Sequence, residues 1–83
     1  MDYTFSKHAK KVLVEREIPM AWVERALTVP ELRHLQKDNP LLERRFRRIP
    51  EFGDRVLRVV VNVSVQPNHV VSVFFDRRKK GKL

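Results

Sequence analysis

The segment from Arg55 to Val65, RVLRVVVNVSV, constrains the fold of this chain more than any other stretch. Apolar residues occupy every second position from Leu57 to Val65, while Arg58 and the polar residues fall between them. A period of two is the repeat of a β-strand, because successive side chains point to opposite faces of a sheet. We therefore predict a central strand here, with the Leu57 to Val65 set in the core and Arg58 on the opposite face.

Two short helices are predicted before the strands. Ser6 suits a helix N-cap, and apolar residues with helical spacing follow it in KHAKKVLVERE. Pro19 ends this helix and can open the next one, MAWVERALT, which Pro30 closes.

The rest of the chain reads as strands and turns. An edge strand is predicted in ELRHL, a second strand in LLERRFRRI and a last one in VVSVFFD, and EFGD forms a turn with Gly53 at positive φ. Helices followed by strands indicate an α+β domain, here two N-terminal helices packed on one face of a three- to four-stranded antiparallel sheet. We place this domain at residues 1–76 and a basic C-terminal tail at residues 77–83.

Charge is the strongest compositional signal for function. The 83 residues carry a net charge of +8, which favours RNA or DNA phosphate backbones or an acidic partner protein. The chain has no cysteine, no signal-peptide pattern and no apolar run long enough to span a membrane. We therefore expect a cytoplasmic protein that has no membrane partner.

Four arginines surround Phe46 in LLERRFRRI. If Leu42 and Phe46 point to the helices, Arg45 and Arg47 lie with Arg58 on the open face of the sheet. Guanidinium groups held on strands are well placed for phosphate. The predicted nucleic-acid-binding residues are Arg45, Arg47 and Arg58, together with Arg77 and Arg78 of the tail. The alternative is a solvated sheet face whose charges give solubility and protect the sheet edges.

Histidines are the candidates for proton transfer near neutral pH. His8 lies in the first turn of the first helix, where it could also be a residue packed at the margin of the core. His34 falls in the edge strand and His69 in a turn, and the sequence assigns no role to either. No histidine pair has metal-ligand spacing, and the two glycines cannot form a nucleotide-binding loop, so neither a metal nor a cofactor is expected.

The segment FSKHAKKVLVEREIPMAWVERALTVPE, followed by RVLRVVV and VVSVFFDRR, resembles a small bacterial family, domain of unknown function 4258. The resemblance implies a layout similar to RelE, ParE and BrnT-type toxins, with helices on one side of a small sheet. Such toxins often cleave RNA without a metal, and an antitoxin usually holds them inactive. RelE-like folds usually start with a strand, for which this chain offers MDYTF. The resemblance adds His8, Arg16, Asp76 and Arg77 as candidate site residues.

Two functions remain open from the sequence. The first is a metal-independent ribonuclease of the toxin type, in which His8 is the acid or base and Arg45, Arg47 and Arg58 hold the phosphate. The second is a non-catalytic module that binds nucleic acid or an acidic antitoxin-like protein. Exposed sheet edges also favour pairing with another chain, including a second copy of this one.

Overall fold

The computed structural model describes residues 2–83, which form two α-helices and a five-stranded sheet. In chain order the elements are β1 (Tyr3–Phe5), α1 (Lys7–Glu15), α2 (Met20–Thr28), β2 (Leu32–Gln36), β3 (Asn39–Ile49), β4 (Arg55–Asn62) and β5 (Asn68–Phe75). Short 3-10 turns at Pro50–Phe52 and Arg77–Lys79 follow β3 and β5. The predicted α+β class with two helices is confirmed.

The strand order across the sheet is β1-β5-β4-β3-β2, so β4 lies at the centre, as its alternation predicted. Strands β2 to β5 are antiparallel neighbours, whereas β1 is parallel to β5. The prediction of three to four antiparallel strands after two N-terminal helices was therefore wrong in part: the sheet has five strands, and the added strand β1 precedes the helices and is parallel to its neighbour. Three residues are too few to show a period of two, so β1 is recognised only by its pairing with Asn68–Val70.

The core lies between the two helices and one face of the sheet. Its buried members in the helices and in the central strand are Ala9, Val23, Ala26, Leu27, Leu57, Val59 and Val61. The predicted inward set of β4 is thus confirmed as far as Val61, but the strand ends at Asn62 and Val65 is 43% exposed. Burying one such side chain contributes about 1.5–3 kcal/mol. Within residues 2–83, neither helix is long and apolar enough to cross a membrane.

Arg45 and Arg47 lie on the helix-covered face of the sheet, so the prediction that they point to the open face was wrong. Arg45 pairs with Val59 and Arg47 with Leu57, and directly opposed residues of neighbouring strands share a face. Phe46 instead pairs with Arg58 on the open face. The predicted position of Arg58 is confirmed.

Phe46 is buried although it lies on the open face of the sheet, opposite to the face that the helices cover. It is only 1% exposed. The Nζ atom of Lys79 lies 5.3 Å from its ring centroid, the Cζ atom of Arg58 lies 5.9 Å away, and the His34 ring centroid lies at 5.4 Å. Cationic side chains and the C-terminal turn therefore cover the apolar ring that the sequence argument had assigned to the helices.

Candidate functional site

A cleft of about 650 Å³ lies where α1, the start of β4 and the end of β5 come together. Its lining residues are His8, Val12, Arg16, Ile18, Arg55, Val56, Ser72, Val73, Phe74, Phe75, Asp76, Arg77 and Lys80. The volume falls in the range of sites that enclose small ligands. Four of the lining side chains are arginines or lysines and one is an acid, so the cleft is strongly basic.

Ser6 fixes the start of α1 against the sheet. Its Oγ accepts a hydrogen bond from the Ala9 backbone N at 3.0 Å, as the predicted N-cap requires, and donates one to the Val71 carbonyl oxygen at 2.8 Å. One hydroxyl therefore caps the helix and ties it to β5. This contact sets the position of the first helical turn, which carries His8.

The helix presents His8, Val12 and Arg16 to the cleft. Residues four apart lie on the same face of an α-helix, one turn above the other. His8 is exposed, which does not fit the alternative interpretation of a residue packed at the core margin. Arg16 is the C-cap residue of α1, so the two polar side chains mark the two ends of the helix on its cleft side.

The opposite wall of the cleft comes from the β4–β5 hairpin. β1 pairs with Asn68–Val70 of β5, so the outer edge of β5 after Val70 is not covered by β1 and borders the cleft. Leu57 pairs with Phe75 in the antiparallel register, which brings Arg55 at the start of β4 close to Arg77 after the end of β5. Residues 22 positions apart in the chain thus share one end of the sheet.

The basic side chains of the cleft have no acidic partners. Arg16, Arg55, Arg77 and Lys80 are all exposed, and none forms an ion pair with a carboxylate in the part of the chain from residue 2 to 83. Arg55 Cζ lies 4.4 Å from the centroid of the Phe52 ring, a cation–π contact. Uncompensated positive charge at a concave surface attracts polyanions.

Asp76 lines the cleft, but its carboxylate is already bound. Arg58 Nη1 donates to Asp76 Oδ2 at 3.2 Å, and the Arg78 backbone N donates to Oδ1 at 3.0 Å. Burial raises the pKa of Asp76, but these hydrogen bonds outweigh burial and hold the pKa below its usual value. Asp76 therefore anchors the turn that carries Arg77 and leads to Lys80, and is not a free acid or base.

Arg45 is held inside the fold. It is 5% exposed. Its Nε donates to Glu43 Oε1 at 2.6 Å, and its Nη1 donates to Tyr3 Oη and to the Leu27 carbonyl oxygen, each at 3.0 Å. Burial lowers the pKa of Arg45, but the contacts with Glu43 and Tyr3 outweigh it and raise the pKa. Because its donors are committed to β1, α2 and β3, Arg45 is not placed to bind a phosphate.

Of the other predicted phosphate-binding arginines, some make contacts within the fold and one lines the cleft. Arg47 donates from Nη1 to the Val29 carbonyl oxygen at 3.2 Å, and Arg58 is bound to Asp76. Arg78 has an 82% exposed side chain with its Nε 3.5 Å from Asp76 Oδ1. Arg77 alone of this group lines the cleft. The structure thus brings together the candidates suggested by the family resemblance and leaves Arg45, Arg47 and Arg58 outside.

The remaining histidines lie away from the cleft. His34 stacks near Phe46, and His69 Nδ1 lies 2.7 Å from Thr4 Oγ1 at the β1–β5 edge. Among residues 2–83, no three histidine, aspartate or glutamate side chains are grouped as a metal ion would require.

Arg55, Phe74 and Lys80 are among the lining residues that sequence reasoning does not single out. The antiparallel hairpin can reveal Arg55, because it brings the start of one strand next to the end of the next. Lys80 falls in the predicted basic tail, for which the sequence gives no position. Phe74 falls in a predicted strand, and no sequence signal distinguishes it from the adjacent Phe75.

Comparison with known proteins gives one relationship. No curated protein and no solved structure in the comparisons matches the chain significantly. A family model does match residues 5–75, a span that runs from the end of β1 to the end of β5. It includes His8, Arg16 and Arg55 of the cleft and ends before Asp76, Arg77 and Lys80. The chain therefore belongs to the family described as domain of unknown function DUF4258.

Proposed function

We propose that this protein is a toxin-like, metal-independent ribonuclease that binds RNA in the basic cleft. One observation supports the proposal: an exposed histidine and four cationic side chains that form no ion pair within residues 2–83 line the same concave surface. When the RNA 2′-oxygen is the nucleophile, the protein has to bind the phosphate and transfer a proton.

The four cations, Arg16, Arg55, Arg77 and Lys80, supply the phosphate-binding part. Guanidinium groups form paired hydrogen bonds with phosphate oxygens, and each neutralised phosphate releases condensed counterions. They come from α1, β4 and the C-terminal segment, so they surround a ligand from several directions. This arrangement supports binding of a backbone that bends into the cleft.

His8 supplies the proton-transfer part. In the proposed reaction the RNA 2′-oxygen attacks the adjacent phosphorus while His8 accepts the 2′-hydroxyl proton. The bond from phosphorus to the 5′-oxygen breaks, a 2′,3′-cyclic phosphate forms, and the leaving 5′-oxygen takes a proton from water. The nearby arginines stabilise the negative charge that builds up on the phosphate oxygens.

The proposal also suggests partners. An acidic antitoxin-like protein would compete for the same cations, because carboxylates use the same guanidinium donors as phosphate. β2 is an outer strand of the sheet, so a strand of another chain, or of a second copy, could pair with it. An RNA target places the proposed activity in the cytoplasm.

A second candidate is a module that binds nucleic acid without cutting it. His8 is the one histidine in the lining, and the carboxylate of Asp76 is committed to Arg58 and Arg78. A cleft with one group for proton transfer favours binding over a reaction that must move two protons. DNA and RNA would then bind through the same phosphate contacts.

A cleavage assay with His8→Ala separates the two candidates. We expect the parent protein to cut RNA and His8→Ala to cut about 10²–10⁴-fold more slowly with nearly unchanged RNA binding. His34→Ala is the matched control, since it removes an exposed histidine outside the cleft, and it should cut like the parent. Thermal unfolding of each variant checks the fold. If varied RNAs stay intact with the parent, or His8→Ala cuts as fast, the catalytic assignment fails and the binding module remains.

A further inference from the structure

Phe74 offers an aromatic surface inside the basic cleft. It lies on β5, lines the cleft and is 36% exposed, although the preceding residue Val73 is buried. A large ring left open to solvent beside unpaired cations is not explained by packing. Bases of nucleic acids stack on such rings in proteins that bind single strands.

The ring is held from one side by a fixed cation. Arg58 Cζ lies 4.7 Å from the Phe74 ring centroid, and Arg58 itself is held by the hydrogen bond from its Nη1 to Asp76. Arg58 thereby covers one side of the ring and leaves its exposed surface to the cleft. The ion pair that takes Arg58 out of direct phosphate binding thus positions an aromatic platform.

The surrounding charge is placed for the phosphates that flank a stacked base. Arg16, Arg77 and Lys80 line the same cleft as Phe74. In a duplex the bases are stacked inside the helix, where a protein ring cannot reach their faces, whereas unpaired bases can turn outward. Charge alone would bind both forms, so the exposed ring is the feature that distinguishes them.

We propose that the cleft selects an unpaired nucleotide of single-stranded RNA, whose base stacks on Phe74 while the surrounding cations hold its phosphates. This inference rests on the proposed RNA binding and adds the substrate class. Stacking of one base on one aromatic side chain is expected to strengthen binding by about 5- to 100-fold.

The test compares Phe74→Leu with Phe52→Leu. Phe52→Leu removes a ring of similar exposure, 39%, which lies under the guanidinium of Arg55 but does not line the cleft, so its effect acts through a cation and falls alike on single strand and duplex. The probe is 2′-O-methyl RNA of about ten nucleotides, which cannot attack its own phosphate, measured by fluorescence anisotropy as a single strand and as a duplex. Thermal unfolding shows whether each variant keeps its fold, and Phe74→Trp keeps a stacking ring.

We expect the parent to bind the single strand more tightly than the duplex. Phe74→Leu should lose about 5- to 100-fold in single-strand affinity with little change for the duplex, while Phe74→Trp stays close to the parent and Phe52→Leu changes the affinity for both forms by the same factor. Equal binding of both forms by the parent, or a loss for Phe74→Leu that is the same for single strand and duplex, overturns the single-strand inference alone. If the parent binds neither form at low salt, the proposed RNA binding fails and the inference fails with it.

Discussion

The guanidinium of Arg45 connects three parts of the fold through Glu43, Tyr3 and the backbone of Leu27. The Glu43 carboxylate depends on this contact. Burial raises the pKa of Glu43, but hydrogen bonds from Arg45 and Arg33 outweigh it and hold the pKa below its usual value. Removing one partner of a buried pair leaves the other charge without compensation, which costs more than the pair contributes when intact.

We predict that Arg45→Met destabilises the protein by about 3 kcal/mol, because Glu43 loses its buried partner. Arg33→Met is the matched control: Arg33 Nε donates to the same Glu43 oxygen at 2.9 Å, but its side chain is 55% exposed. The control should cost less than about 1 kcal/mol. Urea unfolding midpoints at constant slope measure both. Equal costs for the two variants would contradict the structural role of Arg45.

The sequence could not place Arg45 because its strand has apolar residues on both faces. Leu42 and Phe46 fall at even positions, while Leu41 and Ile49 fall at odd ones. A shift of one position exchanges the faces of every side chain, and the pattern of LLERRFRRI does not select between the two settings. The pairing of β3 with the regular strand β4 determines which side chains of β3 face the helices, and this pairing cannot be read from the segment LLERRFRRI alone.

Among the elements, α2 is joined to the turn after β3 by one ion pair. Arg25 Nη1 and Nη2 donate to Glu51 Oε1 and Oε2 at 2.9 and 2.8 Å. The hydrogen bonds from Arg25 lower the pKa of Glu51 to about 2. Phe52, the next residue of this turn, packs against Trp22 of α2, with 5.7 Å between the two ring centroids. The turn is thus fixed to α2 by a polar and an aromatic contact.

The Arg25–Glu51 pair should make stability depend on pH. A carboxylate whose pKa is lowered by folding stabilises the native state above its unfolded-state pKa, and this stabilisation is lost as pH falls through the folded-state value. The stability difference between the parent and Glu51→Gln should therefore be constant above about pH 5, shrink as the pH falls below about 4 and vanish near 2.

Arg25→Gln supplies the control for this pH dependence. In the Arg25→Gln background the carboxylate has no partner, so adding Glu51→Gln should produce a much smaller pH-dependent difference. Chemical unfolding of the four proteins across the acid range measures the effect. A difference between the parent and Glu51→Gln that stays constant down to pH 2, or one that is the same in both backgrounds, would contradict the assignment.

The elements differed in how far the sequence defined them. Capping and backbone restriction are local effects, and the structure agrees with Ser6 as the cap of α1 and with Pro19 and Pro30 on either side of α2. The first helix ends at Glu15, earlier than the predicted end at Pro19. β1 is defined by a parallel pairing with Asn68–Val70, more than 60 residues away in the chain. A pairing at that separation leaves no local pattern to detect.

At the scale of the whole molecule, the net charge of +8 is unevenly distributed. Most arginines on the sheet are paired with acids: Arg33, Arg45, Arg47, Arg48 and Arg58 each have a partner among Glu31, Glu43 and Asp76. Within residues 2–83, the cations of the cleft have no such partner, and they are gathered on one concave surface. The total charge predicted a polyanion partner, but the three-dimensional arrangement shows that the cleft brings several unpaired cations together.

The sequence could predict only the part of the candidate site that lies on a single element. His8 and Arg16 were suggested by the family resemblance and lie in the cleft because they share a helix face. Arg55 and Lys80 come from other elements, and their position depends on how the hairpin and the C-terminal segment pack on the sheet. Sequence reasoning that groups residues by strand face does not bring together residues at the ends of strands.

If the cleft cations bind RNA phosphates, the affinity for RNA should depend on salt through those side chains. The comparison uses the double variant Arg55→Gln/Arg77→Gln and the charge-matched control Arg33→Gln/Arg48→Gln, whose arginines are ion-paired and lie outside the cleft. Filter binding of single-stranded RNA over a series of salt concentrations gives the slope of log K against log salt. Each lost phosphate contact lowers the magnitude of that slope by about 0.7.

We expect Arg55→Gln/Arg77→Gln to weaken RNA binding at every salt concentration and to lower the slope by about 1.4 in magnitude. The control double, which has the same net charge, should keep the slope of the parent. Equal losses of affinity and slope in the two doubles would show that net charge alone attracts RNA, and absence of RNA binding by the parent at low salt would remove the function assigned to the cleft.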